Sequence, residues 1–143
     1  MSDDLLKLDK QVCFPLYSAT NALVRAYRPL LKPLDLTYPQ YLAMMVLWEH
    51  DKISVKALGE KLYLDSGTLT PLLKRLESKE LLRREIDLTD ERAKVITLTE
   101  QGWQLKEQAK HVPATLAGSV DMTKEELLAL KQGCEALLAS LNK

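Results

Sequence analysis

The stretch Leu62–Leu82, LYLDSGTLTPLLKRLESKELL, constrains this chain more than any other. Leu69, Leu72, Leu73 and Leu76 fall three or four residues apart, the apolar stripe of a 3.6-period helix. Asp65 and Ser66 stand just before the stripe, with side-chain oxygens suited to capping exposed N–H groups. The opposite face carries Ser66, Thr68, Thr70, Lys74, Arg75 and Ser78. Short hydroxyls near the start, with Lys-Arg a turn or two later, suit a helix entering a DNA major groove. The hydroxyls lie close to base edges and phosphates, and the cations reach the backbone. An ordinary surface helix shows the same two faces, so the flanking segments must decide.

Both flanks favour the DNA reading. Ser54 caps a short helix, Val55 to Leu62, with Leu58 and Leu62 pointing inward. Tyr63-Leu64-Asp65 then turns the chain into the helix just described, and helix, short turn, helix is a helix-turn-helix. Downstream, Leu81–Ile86 and Ala93–Leu98 are strand-like around a turn-like Asp87–Arg92, a hairpin with a charged tip. Such a hairpin is marginal alone and must lean on the helices. Arg83, Arg84, Arg92 and Lys94 make it basic, and Arg92 at the tip is placed to reach a minor groove. The expected DNA contacts are Ser66, Thr68, Thr70, Lys74 and Arg75 from the helix, with Arg84 and Arg92 from the hairpin. The expected fold is mainly α with a small β-hairpin wing, a winged helix-turn-helix over residues 36–99.

The rest of the chain is helical. Asp3–Asp9 reads as a frayed lead-in. From Cys13 to Leu34, residues Leu16, Ala19, Leu23, Ala26, Tyr27, Leu30 and Leu31 fall mostly on one face. Pro15 fits only a first turn, so this helix begins near Phe14 with Cys13 at its N-terminal edge. Pro29 should bend it and Pro33 should end it. Thr37 or Tyr38 caps the next helix, with Pro39 at its first position and a nearly all-apolar run from Tyr41 to Trp48. Thr99 caps a helix to about His111, which Pro113 ends or kinks before a softer connection, Thr115–Val120. Thr123-Lys124-Glu125-Glu126 has the pattern of a capping box and opens a last helix to about Leu141. Its Leu127, Leu130, Leu137, Leu138 and Leu141 are more apolar surface than a small winged domain needs. The first and last parts, residues 1–35 and 100–143, are therefore expected to pair two copies of one 143-residue domain into a homodimer.

Charge limits the partners only locally. Twenty basic residues balance twenty acidic ones. From Lys52 to Lys94, however, ten Lys/Arg face eight Asp/Glu, a net of +2 that a dimer doubles. No run of eighteen apolar residues exists, and MSDDLLKLDKQ lacks the basic start and apolar core of a signal peptide. A cytoplasmic protein with no membrane partner is expected. No phosphate loop or zinc spacing occurs, Cys13 and Cys134 fit no metal-ligand spacing, and His50 and His111 both read as helix-end residues. No metal, cofactor or catalytic acid–base pair is expected.

Cys13 is the second centre. A thiol at a helix N-terminus feels the positive end of the macrodipole, which favours the thiolate. Tyr17 lies one turn later, where its hydroxyl can donate to that thiolate. Tyr27 and Tyr38 are further aromatic donors near this helix, and Phe14, Leu16 and Trp48 are candidate apolar walls. A small buried hydrophobe is the commoner fate of a lone cysteine, and the residues alone leave both readings open.

Four segments carry a resemblance: Gln11-Val12-Cys13-Phe14-Pro15-Leu16-Tyr17, Leu36-Thr37-Tyr38-Pro39-Gln40-Tyr41-Leu42, Leu47-Trp48-Glu49, and Leu62 through Arg75. They resemble the organic-hydroperoxide-sensing repressors of the MarR family (the OhrR group), and Asp90-Glu91-Arg92 is a wing tip common to that wider family. The resemblance runs from about Leu8 to the C-terminus and implies a homodimeric winged-helix repressor that binds an inverted-repeat operator when reduced. It implies Cys13 as the sensing thiol, hydrogen-bonded by Tyr17 and by Tyr27 of a partner subunit, with Tyr38 nearby. An organic hydroperoxide would oxidise Cys13 to a sulfenic acid and release the DNA. Some members then form an intersubunit disulfide with a second cysteine before the last helix. Here Val112–Asp121 holds no cysteine and Cys134 lies well inside the final helix. That departure favours capture of the sulfenic acid by a small cellular thiol, with Cys134 as a packing residue. The rivals are a MarR regulator relieved by non-covalent binding of a phenolic ligand, and a thiol peroxidase enzyme using Cys13.

Overall fold

Five of the expected helix starts are made by a side chain that bonds its own helix three residues on. In the computed structural model, which describes residues 3–89 and 93–142, the elements are α1 (Cys13–Leu31), α2 (Tyr38–Glu49), β1 (Ile53–Ser54), α3 (Val55–Leu62) and α4 (Ser66–Ser78). They continue with β2 (Leu82–Ile86), β3 (Lys94–Leu98), α5 (Glu100–Ala109), α6 (Val112–Gly118) and α7 (Lys124–Leu141). Ser54 Oγ accepts the Ala57 N–H at 3.0 Å and Asp65 Oδ1 accepts that of Thr68 at 2.8 Å. Thr99 Oγ1 accepts the Gly102 N–H at 3.0 Å. Thr37 and Thr123 form full capping boxes with Gln40 and Glu126.

The helix ends are made differently. Asp35, Tyr63 and Glu80 take left-handed conformations with φ of 55, 55 and 63°. Each is followed by a residue whose N–H reaches back: Leu36 to the Leu31 carbonyl (3.3 Å), Leu64 to Gly59 (3.0 Å) and Leu81 to Leu76 (3.1 Å). These are Schellman-type stops without glycine.

The chain divides into two compact units, Met1–Val112 and Pro113–Lys143. In the first, Leu69, Leu72, Leu73 and Leu76 all turn inward and join Tyr41, Met44, Leu47 and Leu58 in one core. Two close backbone approaches fix the helix packing. A Cβ on Gly59 would stand 2.9 Å from the Leu64 carbonyl oxygen, and one on Gly102 only 2.2 Å from that of Leu81. The winged helix-turn-helix and its mainly helical class are as expected. The wing's base is larger than a hairpin, because β1 pairs with β3 on the side away from β2, setting Ile53 opposite Ile96. Asp51 Oδ1 accepts the Leu98 N–H at 2.9 Å beside that pairing. The hairpin therefore leans on the segment that also caps α3.

Four expectations need correction. The lead-in is not frayed: it forms 3₁₀ turns over Asp3–Leu6 and Leu8–Lys10, and Gln11 Nε2 donates to the carbonyls of Leu5 (2.6 Å) and Lys7 (3.0 Å). The helical pattern read to Leu34 is α-helix only to Leu31 and a 3₁₀ turn over Lys32–Leu34; Pro33 ends α1 as expected, since it has no N–H to continue the α pattern. Pro39 is the second residue of α2, not the first. Pro113 starts a helix rather than ending one. It is the second residue of α6, where a missing N–H costs nothing, and the connection expected from Thr115 is helical to Gly118.

α1 and α7, each taken by itself, leave apolar side chains uncovered. Within α1 only Leu31 is buried, while Phe14, Tyr17 and Leu23 are exposed. No residue of α7 is buried, and Leu128, Leu130, Leu137, Leu138 and Leu141 face outward.

Candidate nucleic-acid interface and thiol site

The polar face of α4 is open. Ser66, Thr68, Lys74 and Arg75 are exposed and Thr70 is half-buried, while the leucine stripe holds the helix to the core. Packing thus leaves one continuous row of hydroxyls followed by two cations. Tyr63, in the turn before the helix, is also exposed.

Arg84 has a different partner from the one expected of it. Its Nη2 lies 2.9 Å and its Nε 3.2 Å from Glu77 Oε1, and its backbone N–H donates to Glu77 Oε2 at 3.1 Å. Its side chain is only 17% exposed. Strand alternation gives the reason: Arg84 shares a face with buried Leu82, the face that lies toward α4. The Arg84 N–H, then its guanidinium, hold the Glu77 carboxyl below the usual glutamate range. Arg83, on the opposite face, is exposed. Alternation applied to the sequence would have preferred it. Arg92 lies outside the described residues.

Cys13 is exposed at the first position of α1, and Val12 before it offers no side-chain cap to the first-turn N–H groups. Tyr17, one turn later, is also exposed. The other tyrosines are elsewhere. The Tyr27 and Tyr38 rings pack tilted by 42° with centroids 4.8 Å apart, and Tyr41 completes the cluster at 5.7 and 6.4 Å. Burial, then the neighbouring Tyr38 and Tyr41 hydroxyls, push the Tyr27 phenol up to about 12; burial raises Tyr38 and Tyr41 as well. These phenols stay neutral, and so able to donate, at any physiological pH. Tyr41 was missed in the sequence, although its i,i+3 spacing from Tyr38 places both on one side of α2.

Tyr27 lies fourteen helical steps after Cys13 on α1, about 21 Å at a rise of 1.5 Å per residue. One chain therefore sets Tyr17 one helical turn from the thiol and holds Tyr27, with the Tyr38 ring packed against it, away from that thiol. Trp48 Nε1 donates to the Gly102 carbonyl at 2.9 Å, joining α2 to α5. Cys134 is half-buried on α7. Among the described residues, no three His, Cys, Asp or Glu side chains gather to hold a metal ion, and no helix is long and apolar enough to cross a membrane.

Comparison with known proteins fits this geometry. Residues 36–94 match the MarR family. Over 140 residues the chain is 47% identical to the organic hydroperoxide resistance transcriptional regulator of Bacillus subtilis (strain 168), covering 98% of this chain and 95% of that protein. It is 52% identical over 128 residues to the HTH-type transcriptional regulator TtmR of Methylorubrum extorquens (strain PA1), covering 90% of this chain and 66% of TtmR. Its fold is similar to that of reduced AbfR bound to DNA, with a TM-score of 0.82 and 31% identity over the whole of both chains; AbfR is a protein of Staphylococcus epidermidis. With a relative of that identity along nearly its full length, the chain belongs to the MarR family, within its organic hydroperoxide regulator group.

Proposed function

We propose that this protein is a homodimeric, cytoplasmic repressor that holds an inverted-repeat operator while Cys13 is reduced and releases it when an organic hydroperoxide oxidises Cys13, so derepressing a peroxide-resistance gene. One observation carries the reading: the exposed Cys13–Tyr17 pair and the buried-edge Tyr27–Tyr38 cluster sit at opposite ends of one helix whose apolar side chains are uncovered. Two copies of α1 running antiparallel bring each thiol to the partner subunit's tyrosines. α7, with its outward leucines, adds the rest of the interface.

The chemistry follows from those groups. The Cys13 thiolate attacks one peroxide oxygen, an S–O bond forms as the O–O bond breaks, and the departing alkoxide takes a proton to leave as an alcohol. Sulfur is oxidised to the sulfenic acid and the peroxide is reduced. A small cellular thiol then attacks that sulfur, giving a mixed disulfide and water. A bulky adduct in place of a thiolate ends its bonds to tyrosine donors and disturbs the pairing that sets the two α4 helices roughly one DNA turn apart. The peroxide is thus a signal read once per chain, not the substrate of an enzyme.

On the DNA side, Ser66, Thr68, Thr70, Lys74 and Arg75 read the major groove, and Arg92 is a further DNA contact. Arg84 serves by fixing β2 to α4 rather than by touching DNA.

A cleft of about 600 Å³ lined by Arg28, Leu31, Tyr38 and Lys79 supports a second reading, relief by a phenolic ligand held without a covalent bond. Cys13→Ser separates the two. On the redox reading the variant still binds operator DNA but keeps it in the presence of cumene hydroperoxide. Release that persists in Cys13→Ser would exclude the redox mechanism.

A further inference from the structure

The recognition helix is tied, at its C-terminal end, to the turn joining α1 and α2. Lys79 caps α4, and its ammonium donates to the backbone carbonyl of Asp35 and to Gln40 Oε1, the latter at 2.9 Å. The Asp35 carboxylate lies 3.7 Å away. Gln40 is only 4% exposed, and the same Oε1 accepts the Thr37 N–H at 3.1 Å. One amide oxygen therefore closes the cap of α2 and holds the tether from α4. Asp35 stands in the left-handed conformation directly after the 3₁₀ turn that follows α1.

Packing alone does not call for this arrangement, since Leu69, Leu72, Leu73 and Leu76 already bury one face of α4. What the tether adds is direction. Tyr38 is the first residue of α2, between Thr37 and Gln40, and packs against Tyr27 of α1. Any displacement of the Tyr27–Tyr38 pair moves the α1–α2 turn, and with it both anchors of Lys79. A charge-assisted bond to a buried amide is short and directional, so the end of α4 follows.

We propose that Lys79 is a positioning residue that transmits a change at the Tyr27–Tyr38 pair to the recognition helix. This rests on the redox reading above and adds the route by which that site moves α4. Two packed arrangements biased by one contact are what such coupling requires.

The test compares operator Kd for reduced and cumene hydroperoxide-treated protein in the full-length wild type, Lys79→Met, Lys79→Arg and Asp35→Asn, with Cys13 oxidation followed by mass. Lys79→Met is expected to oxidise at Cys13 as the wild type does, while its ratio of oxidised to reduced Kd falls by about five-fold or more, the lower range of ordinary coupling. Lys79→Arg, which retains donors, keeps the ratio. Asp35→Asn gives a smaller fall, because it removes only the exposed carboxylate and asparagine tolerates left-handed backbone. An unchanged ratio in Lys79→Met, whatever its reduced affinity, overturns the proposal: a merely structural lysine shifts both states together. Should Lys79→Met fail to fold by circular dichroism, Lys79→Ala, which removes the same ammonium, decides, a fall supporting the route and no change overturning it. A wild type that keeps its operator after Cys13 oxidation sinks the redox reading itself, and is distinguished because the ratio is then one before any substitution.

Discussion

The Arg84 guanidinium reaches from β2 to Glu77 on α4, with Nη2 2.9 Å from Oε1. The wing and α4 are therefore joined by a charge-assisted bond, and the Arg84 backbone N–H adds a second. Since the bound Glu77 carboxyl titrates below its unfolded value, this pair's stabilisation is complete above the ordinary glutamate pKa of about 4.3. It is lost as the pH falls through the lower folded value. Arg84→Ala should cost ~1 kcal/mol of stability at neutral pH, the upper range for a partly exposed pair, and remove that acid-side loss. The salt dependence of operator binding should stay unchanged. Arg75→Ala should do the reverse, leaving stability nearly intact and lowering the log–log salt slope by about one. Urea titrations at pH 7 and pH 4, with binding at three salt concentrations, check both. A reduced slope in Arg84→Ala would return Arg84 to the DNA surface.

The tyrosine cluster gives a prediction at the other end of the pH scale. Tyr27 ionises near 12 in the folded chain against 10.0 for a free phenol. A raised acid pKa contributes stability that is fully present below pH 10 and is lost as the pH rises through about 12. Tyr27→Phe cannot ionise, so its urea midpoint should fall less between pH 9 and pH 11 than that of the wild type. On the proposed function, the same variant removes a donor to the partner's thiolate. Its reaction with cumene hydroperoxide should slow by about ten-fold or more, the value of one hydrogen bond to a charged group. A normal rate would detach Tyr27 from the thiol chemistry while leaving the alkaline prediction standing.

Cys134 is half-buried within α7 and Cys13 is exposed. With a small thiol present, mild cumene hydroperoxide should place one mixed-disulfide adduct on the Cys13 peptide and none on the Cys134 peptide, as read by mass spectrometry. Cys134→Ser should release operator DNA with peroxide as the wild type does. A covalent Cys13–Cys134 dimer on a non-reducing gel would replace the small-thiol route with an intersubunit disulfide.

Local rules were readable and distant ones were not. Thr37, Ser54, Asp65, Thr99 and Thr123 each bond a backbone N–H three residues on, so helix starts lie in the sequence itself. Helix stops do not, because no described glycine takes a positive φ, whereas Asp35, Lys52, Tyr63 and Glu80 do. β1 is two residues long, and its partners Ile96 and Val95 lie more than forty residues away. No local pattern announces such a strand. For the proposed thiol site the candidate residues Cys13, Tyr17, Tyr27 and Tyr38 could be named from the sequence, but not how far apart one chain holds them. Cys13 and Tyr27 stand far apart along α1, and on the proposed function a second chain joins them.

The glycines grade the packing around this frame. Alanine in a helix interior gains up to about 1 kcal/mol over glycine by propensity, and a clash must exceed that gain to destabilise. Gly67 offers a new Cβ only an ordinary 3.4 Å contact with Asp65 Oδ1, so Gly67→Ala should raise stability by about 0.5 kcal/mol. At Gly59 the Cβ would meet the Leu64 carbonyl at 2.9 Å and Leu69 Cδ2 at 3.3 Å. Leucine can turn aside but the carbonyl cannot, and Gly59→Ala should lose about 1 kcal/mol. At Gly102 the approach to the Leu81 carbonyl is 2.2 Å. That carbonyl also accepts the Thr99 N–H at 3.1 Å, and the Gly102 carbonyl accepts Trp48 Nε1, so neither side can withdraw without breaking a bond. Gly102→Ala should therefore lose about 3 kcal/mol, the upper end for overpacking. Denaturant midpoints of the three variants should fall in the order Gly67→Ala, wild type, Gly59→Ala, Gly102→Ala. A Gly102→Ala protein as stable as the wild type would mean that α5 can shift from Leu81, and that the Trp48 bond does not hold it.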